Sequence, residues 1–348
     1  MEYRAILLSA LLAITVESNL EAATADGIIR VDPGSNAPLA SLGEAPNFIG
    51  ISEWFNSKPL TMQSLRGKVV ILEFWTYSCI NCLRSLDYLK HWNETYKDKG
   101  LVVIGVHTPE YPFETDPQNV QEAISRYGIT YPVASDVRYE TWNAYKNRFW
   151  PTTYLIDKNG VIRKKHIGEG GYTSMENAIR QLLSLEPLNL RRDNEFRFRV
   201  LTPEIHLGFQ RAANYANEIR LEPNQIASYS YKEQLPANQV GLNGKWQVTK
   251  DAITAVGPDS TIGLNFLAGR VYIVLSGQST EPVKVLLDGQ PLPKKYYTDD
   301  MDAQGYIYVE ADGKYDLINL HGSVERHSLT VTIPSGISAY EFSFGLEN

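Results

Sequence analysis

The chain is 348 residues long, 43% apolar and 21% charged, and carries a formal net charge of −7. This is a globular composition with length for about two domains, which excludes a disordered or collagen-like chain. No arginine-rich run is available to neutralise a phosphate backbone, so nucleic acid is excluded as a partner.

Residues 1–25 read as a signal peptide: Arg4 is a short basic start, Ala5–Val16 an apolar stretch, and Ala23, Thr24 and Ala25 supply small residues for cleavage. The apolar stretch is too short to span a bilayer comfortably. Glu17 and Glu21 follow it, which leaves an uncleaved amino-terminal anchor as the alternative. The expected location is the bacterial periplasm or the medium, or the membrane surface if the segment is retained. Only two cysteines occur, both within Cys79-Ile80-Asn81-Cys82, although an exported chain can carry a disulfide framework. The fold is therefore not stapled, and a lipoprotein anchor, which needs a cysteine near the amino terminus, is excluded.

Residues 26–47 are rich in Gly, Pro, Ser, Asn and Ala and read as a linker, with a first domain at 48–187. Val69–Trp75 is a β-branched, apolar run of central-strand character, interrupted only by Glu73. Ser78 stands where a helix N-cap belongs, ahead of a stretch bearing Leu83, Leu86, Tyr88, Leu89 and Trp92. A strand at 101–106, a helix at 117–127 and a short strand at 131–135 follow. Strands at 152–156 and 161–166 flank Asp157-Lys158-Asn159-Gly160, a hairpin signal, and a helix at 173–185 closes the unit. Such alternation predicts an α/β domain. After a linker at 188–201, residues 202–348 show short β-rich runs, including 271–275, 283–287 and 329–333, separated by turns. They predict an all-β sandwich.

On a helix, Cys79 and Cys82 share a face with Cα atoms about 5 to 6 Å apart, within reach of a disulfide. Unpaired N–H groups and the macrodipole at a first helical turn favour a thiolate, which predicts a lowered pKa for Cys79 as nucleophile and a resolving role for Cys82. An inert disulfide and half of a zinc site are the competing readings. Zinc needs four ligands and no second cysteine pair exists, while His91, His107 and His166 have no ligand spacing. Neither a metal nor an organic cofactor is expected.

The stretch Phe74-Trp75-Thr76-Tyr77-Ser78-Cys79-Ile80-Asn81-Cys82 resembles the active site of the TlpA-like branch of the thioredoxin superfamily, and most of all the periplasmic redoxin part of DipZ-type cytochrome c biogenesis proteins. Residues 105–110, 127–133 and 150–157 extend the resemblance in order across most of 48–185. It implies a thioredoxin-like fold and thiol:disulfide exchange with protein thiols and disulfides. It also implies that Pro151 is the cis-proline facing the cysteines, which would leave the Trp150 backbone free to pair with an extended substrate. Glu73 falls where thioredoxins carry a buried acid; burial raises a carboxyl pKa, so Glu73 is expected to take the Cys82 proton. Where several TlpA-like reductases have a glutamate after the second cysteine, this chain has Ser85, and Asp87 replaces a helix-kinking proline; Glu110 is a candidate for the missing acid. Trp75, Tyr77, Phe149 and Trp150 are candidates for a substrate platform, or for plain core. DipZ-type fusions carry a membrane electron-transfer domain, so a separate membrane electron donor is implied.

Thr76, three residues before Cys79, echoes the spacing of peroxiredoxins and keeps open a thiol peroxidase with an antioxidant role, although Leu72 stands where that family has proline. Residues 202–348 resemble the carboxy-terminal, carbohydrate-binding-module-like domain of DipZ-type proteins through segments 202–208, 242–246, 285–289 and 339–345. A glycan- or protein-binding module is implied. Its aromatics, Trp246 and tyrosines 215, 229, 231, 272, 296, 297, 306 and 308, suit sugar stacking but suit strand packing better. Asp300, Asp302 and Gly305 lack the twelfth-position glutamate of a calcium loop and read as a solvated turn.

Overall fold

The computed structural model describes residues 38–188, 201–232 and 234–346. The expected signal peptide and most of the 188–201 linker lie outside these residues. Among the described residues, no helix is long and apolar enough to cross a membrane.

The first half is built on a six-stranded mixed sheet. Its strands are β1 (Glu53–Phe55), β2 (Val69–Trp75), β3 (Leu101–His107), β4 (Val133–Ser135), β5 (Thr152–Ile156) and β6 (Ile162–Ile167), in the spatial order β1-β4-β3-β2-β5-β6. β2 lies parallel to β3 and antiparallel to β5, so the whole of β2 is buried, as its run of apolar residues requires. Its side chains alternate between two cores. Val69, Ile71 and Trp75 pack with helices α1 (Ile80–Tyr96) and α4 (Tyr172–Leu182), whereas Val70, Leu72 and Phe74 pack on the other face with Trp142 and Tyr145. By the two-residue period of a strand, Glu73 belongs to the α1 face.

Helix α1 buries Cys82, Ser85, Leu86, Leu89, Trp92 and Tyr96, a single stripe at helical spacing. Its N-cap is Cys79, not Ser78 as the sequence suggested, because the Ser78 hydroxyl is bound to Glu114 instead. Helix α2 (Pro117–Arg126) starts from Asp116, whose carboxylate accepts from Gln118 N at 2.8 Å. The short helix α3 (Glu140–Ala144) had no sequence signal; the Asp136 carboxylate caps it, accepting from Thr141 N at 3.2 Å and Trp142 N at 2.7 Å. The 26–47 linker also ends earlier than expected. Leu42 N and Ala45 N donate to the carbonyls of Ile162 and Gly160, so these residues are already tied to the β5–β6 hairpin.

Among its described residues the second half has eleven strands, all paired antiparallel. One layer contains β10 (Ile253–Ala255), β12 (Arg270–Ser276), β15 (Gly313–Asn319) and β17 (Ser338–Gly345), with β7 (Ile205–His206) on β17. The other contains β11 (Thr261–Ala268), β13 (Lys284–Leu287), β14 (Gln290–Pro291) and β16 (Glu325–Thr332). Strand β9 (Val240–Val248) joins the layers: residues 240–243 pair with β11 and residues 246–248 with β10, while β8 (Ile226–Tyr229) pairs along 244–247. The changeover falls at Gly244, whose φ of +91° suits glycine, and where a Cβ would lie 2.9 Å from Asp259 O. Trp246, Phe266, Phe342 and the aliphatic residues of both layers fill one core. Among the aromatics considered for sugar stacking, Trp246, Tyr229 and Tyr272 are buried, and Tyr306 and Tyr308 are exposed. Asp302 accepts from Gln304 N and Tyr306 N, which closes its loop as a turn.

Candidate active site

Cys79 leaves β2 in extended conformation (φ −75°, ψ 111°), and its Sγ accepts the Cys82 N–H at 3.2 Å. Both cysteines are free thiols, and both are buried. The first helical turn thus does offer an N–H to the sulfur, but the expected lowering of the Cys79 pKa does not follow. Burial pushes the Cys79 thiol well above its ordinary value, aided by Cys82 and by the carboxylates of Glu204 and Glu110. Burial also raises Cys82, and the Glu73 carboxylate adds to that.

Glu73 is 1% exposed. Its Oε1 accepts from Ser85 Oγ at 2.6 Å and its Oε2 from Thr153 Oγ1 at 2.7 Å. Burial lifts its pKa to about 7 against the opposing pull of these two hydrogen bonds. Ser85, which stands where the resemblance led to the expectation of a glutamate, therefore serves an acid that reaches the site from β2.

Glu114 organises the loop after β3 and carried no sequence signal. It accepts from Ser78 Oγ at 2.6 Å through Oε1, and from Glu110 N at 2.6 Å and Tyr111 N at 2.9 Å through Oε2. Thr76 Oγ1 lies 3.2 Å from His107 Nε2. His107 is fully buried, which holds its ring neutral with a pKa down to about 3; Tyr77 stacks on it at 5.6 Å.

Trp75 is fully buried and Tyr77 nearly so, which corrects their reading as substrate platform: both belong to the core. Trp150 is half-buried, donates from Nε1 to Thr108 O at 2.9 Å, and leans on Trp142 at 4.3 Å. The Trp150–Pro151 bond is cis, and Pro151 is buried. Phe149 is exposed. Glu110, the candidate second acid, is bound to Arg211 of the β half; burial raises its pKa to about 7, and Glu341 adds to the rise. Among the described residues, Glu110, His206 and Glu341 bring ligand atoms within 4.8 Å of one another, but the Arg211 guanidinium already lies against Glu110 and His206.

A dithiol at the head of a helix, on a mixed sheet with a buried acid beneath it, defines a thioredoxin-fold thiol:disulfide oxidoreductase. The Redoxin family matches residues 43–183, and the family described as Thioredoxin like C-terminal domain matches residues 202–345. Protein DipZ of Mycobacterium tuberculosis is 41% identical over 266 residues, covering 73% of this chain and 38% of DipZ. Thiol-disulfide oxidoreductase ResA of Bacillus thuringiensis is 31% identical over 40% of this chain and 76% of its own length; YkuV of Bacillus subtilis is 27% identical over 40% and 93%. The chain belongs to the TlpA-like redoxin family of thiol:disulfide oxidoreductases. It spans 38% of the length of the DipZ proteins it matches.

Proposed function

We propose that the protein is an exported reductase of protein disulfides, with Cys79 as attacking thiol, Cys82 as resolving thiol and Glu73 as proton acceptor. Cys79 thiolate attacks one sulfur of a client disulfide, forming a mixed disulfide and releasing the first client thiolate. Cys82 gives its proton to Glu73 and attacks the Cys79 sulfur, releasing the second client thiolate. The client gains two electrons, and the Cys79–Cys82 pair is left oxidised for a separate membrane donor to reduce. Glu73 carries this reading: it sits on the α1 face, held by a hydroxyl one turn beyond Cys82, with a pKa near 7 that lets it accept and release a proton near neutrality.

The direction rests on the thiols. A dithiol whose thiolates are disfavoured by burial and neighbouring carboxylates gives up electrons readily, the opposite of an oxidant whose reduced form is stabilised. For the β half we propose a role in binding the client or a glycan attached to it.

In Cys82→Ser protein, clients should accumulate as mixed disulfides through Cys79; Cys79→Ser should capture none. A Cys82→Ser protein that captures no client removes the mechanism. Equilibration of the Cys79/Cys82 pair against glutathione tests the direction separately, and a potential well above the glutathione couple would make the protein an oxidant.

A further inference from the structure

Thioredoxin-type exchange needs the face around the first cysteine and the cis-proline to meet a client. Here Cys79, Ile80 and Pro151 are all buried, and side chains of the β half meet the first turns of α1. Within the motif, Asn81 donates to Glu204 Oε1 at 3.3 Å. One turn further, Arg84 donates to Tyr272 OH at 3.3 Å, and its guanidinium packs so closely on Gly345 that a Cβ there would lie 2.2 Å from Nη2.

On the other flank, side chains from the two halves meet in a closed ring. Tyr111 OH donates to Glu341 Oε2 at 2.5 Å, and His206 Nδ1 lies 3.1 Å from the same oxygen. His206 Nε2 is 3.4 Å from Arg211 Nη1, which also binds Glu110, the neighbour of Tyr111. The Arg211 guanidinium stands 5.5 Å above the Tyr111 ring. Behind this ring, Tyr111 and Phe113 pack on Tyr340 at 4.7 and 5.1 Å, with Ala252 and Val274 completing a small apolar core.

We propose that the β half is a gate on the dithiol, and that the ring of Tyr111, Glu341, His206, Arg211 and Glu110 is its clasp. A client reaches Cys79 only when the halves part, so exchange is limited by the population of an open form. Arg211 is a positioning residue in this scheme: it touches no client, and it holds the closed form by pairing with Glu110 while facing His206. The gate concerns access to the sulfur, and so stands apart from the direction of electron flow and from the acid that serves Cys82.

The test uses the full chain carrying Cys82→Ser, in which Cys79 is the sole thiol. Its alkylation is timed with iodoacetamide, and with a polyethylene glycol maleimide of several kilodaltons that cannot enter a closed interface. Arg211→Ala should speed the large reagent roughly tenfold and the small one less than about threefold, because a weakened clasp raises the open population. Arg211→Lys, which keeps the charge, should return most of the protection. Equal acceleration of both reagents would mean that thiol reactivity rather than access had changed, and would overturn the gate. Tyr111→Phe removes one hydroxyl only and serves if Arg211→Ala does not fold. It should favour the large reagent in the same sense by about threefold, and no change there would also overturn the proposal. Protein that labels as expected yet reduces no disulfide would leave the gate standing and remove the proposed activity instead.

Discussion

Ser85 Oγ lies 2.6 Å from Glu73 Oε1 and 2.7 Å from the carbonyl oxygen of Cys82, so one hydroxyl proton has two acceptors. When Glu73 is ionised, the proton belongs on the carboxylate, where a charge-assisted bond is stronger. When Glu73 takes up a proton, it can donate to Ser85 Oγ while the hydroxyl turns to the Cys82 carbonyl. The hydroxyl thus stays satisfied in both protonation states, which suits an acid that cycles between them.

Ser85→Ala removes one of the two bonds that hold the Glu73 pKa down. The pKa should then rise by about one unit, and a base with a higher pKa is ionised only at higher pH. Rapid mixing that follows resolution of a Cys79 mixed disulfide should show the acidic limb of its pH profile displaced upward by a similar amount. An unmoved limb would argue that Ser85 does not act through Glu73.

Glu73 also makes stability depend on pH. Its pKa is raised from 4.5 to about 7 by folding, so its favourable contribution is complete below 4.5 and is lost as pH rises through 7. The loss amounts to about 3 kcal/mol for a fully buried group. Urea unfolding at pH 5 and pH 8 should therefore show a smaller decline for Glu73→Gln than for the parent. Glu110 titrates in the same sense and cancels in the comparison.

Cys79 should react as an elevated thiol. With only the thiolate nucleophilic, iodoacetamide modification of Cys82→Ser protein should climb through about pH 9 without levelling off near neutrality. A plateau below pH 7 would show that the helix terminus outweighs burial after all.

Gly105 sits on β3 opposite Glu73, and a Cβ there would stand 2.8 Å from Trp75 Nε1 and 3.4 Å from Tyr131. Both rings are fully buried and have no room to withdraw. Gly105→Ala should cost about 1 to 3 kcal/mol of stability, measured by chemical denaturation.

What the sequence made legible follows from short-range pattern. β2 announces itself because a strand buried on both faces must be apolar throughout, and that same rule makes Glu73 conspicuous. The stripe of α1 is equally plain at helical spacing. The features that escaped depend on partners far along the chain: Glu114 meets Ser78 across 36 residues, and Tyr111 meets Glu341 across 230. Helix α3 has no strong cap of its own, since Tyr139 at its head adopts φ +59° and the capping carboxylate comes from Asp136. The Cys79 pKa departs from what its motif predicts for a related reason. The helix terminus is visible in a four-residue motif, whereas burial and the carboxylates that Glu110 and Glu204 bring from loops elsewhere in the chain are not.

The contact between Tyr111 and Glu341 also has a meaning in time. Domains generally fold from the amino terminus as the chain is made, and β17 is made only after the whole of the redox half. The dithiol and its sheet are therefore complete while the residues that will lie over them are still unsynthesised. A nascent chain that has not yet reached Ser338 would present a finished redox centre without the contact between Tyr111 and Glu341, so under the proposed gate its dithiol should exchange more readily with bystander disulfides than that of the longer chain.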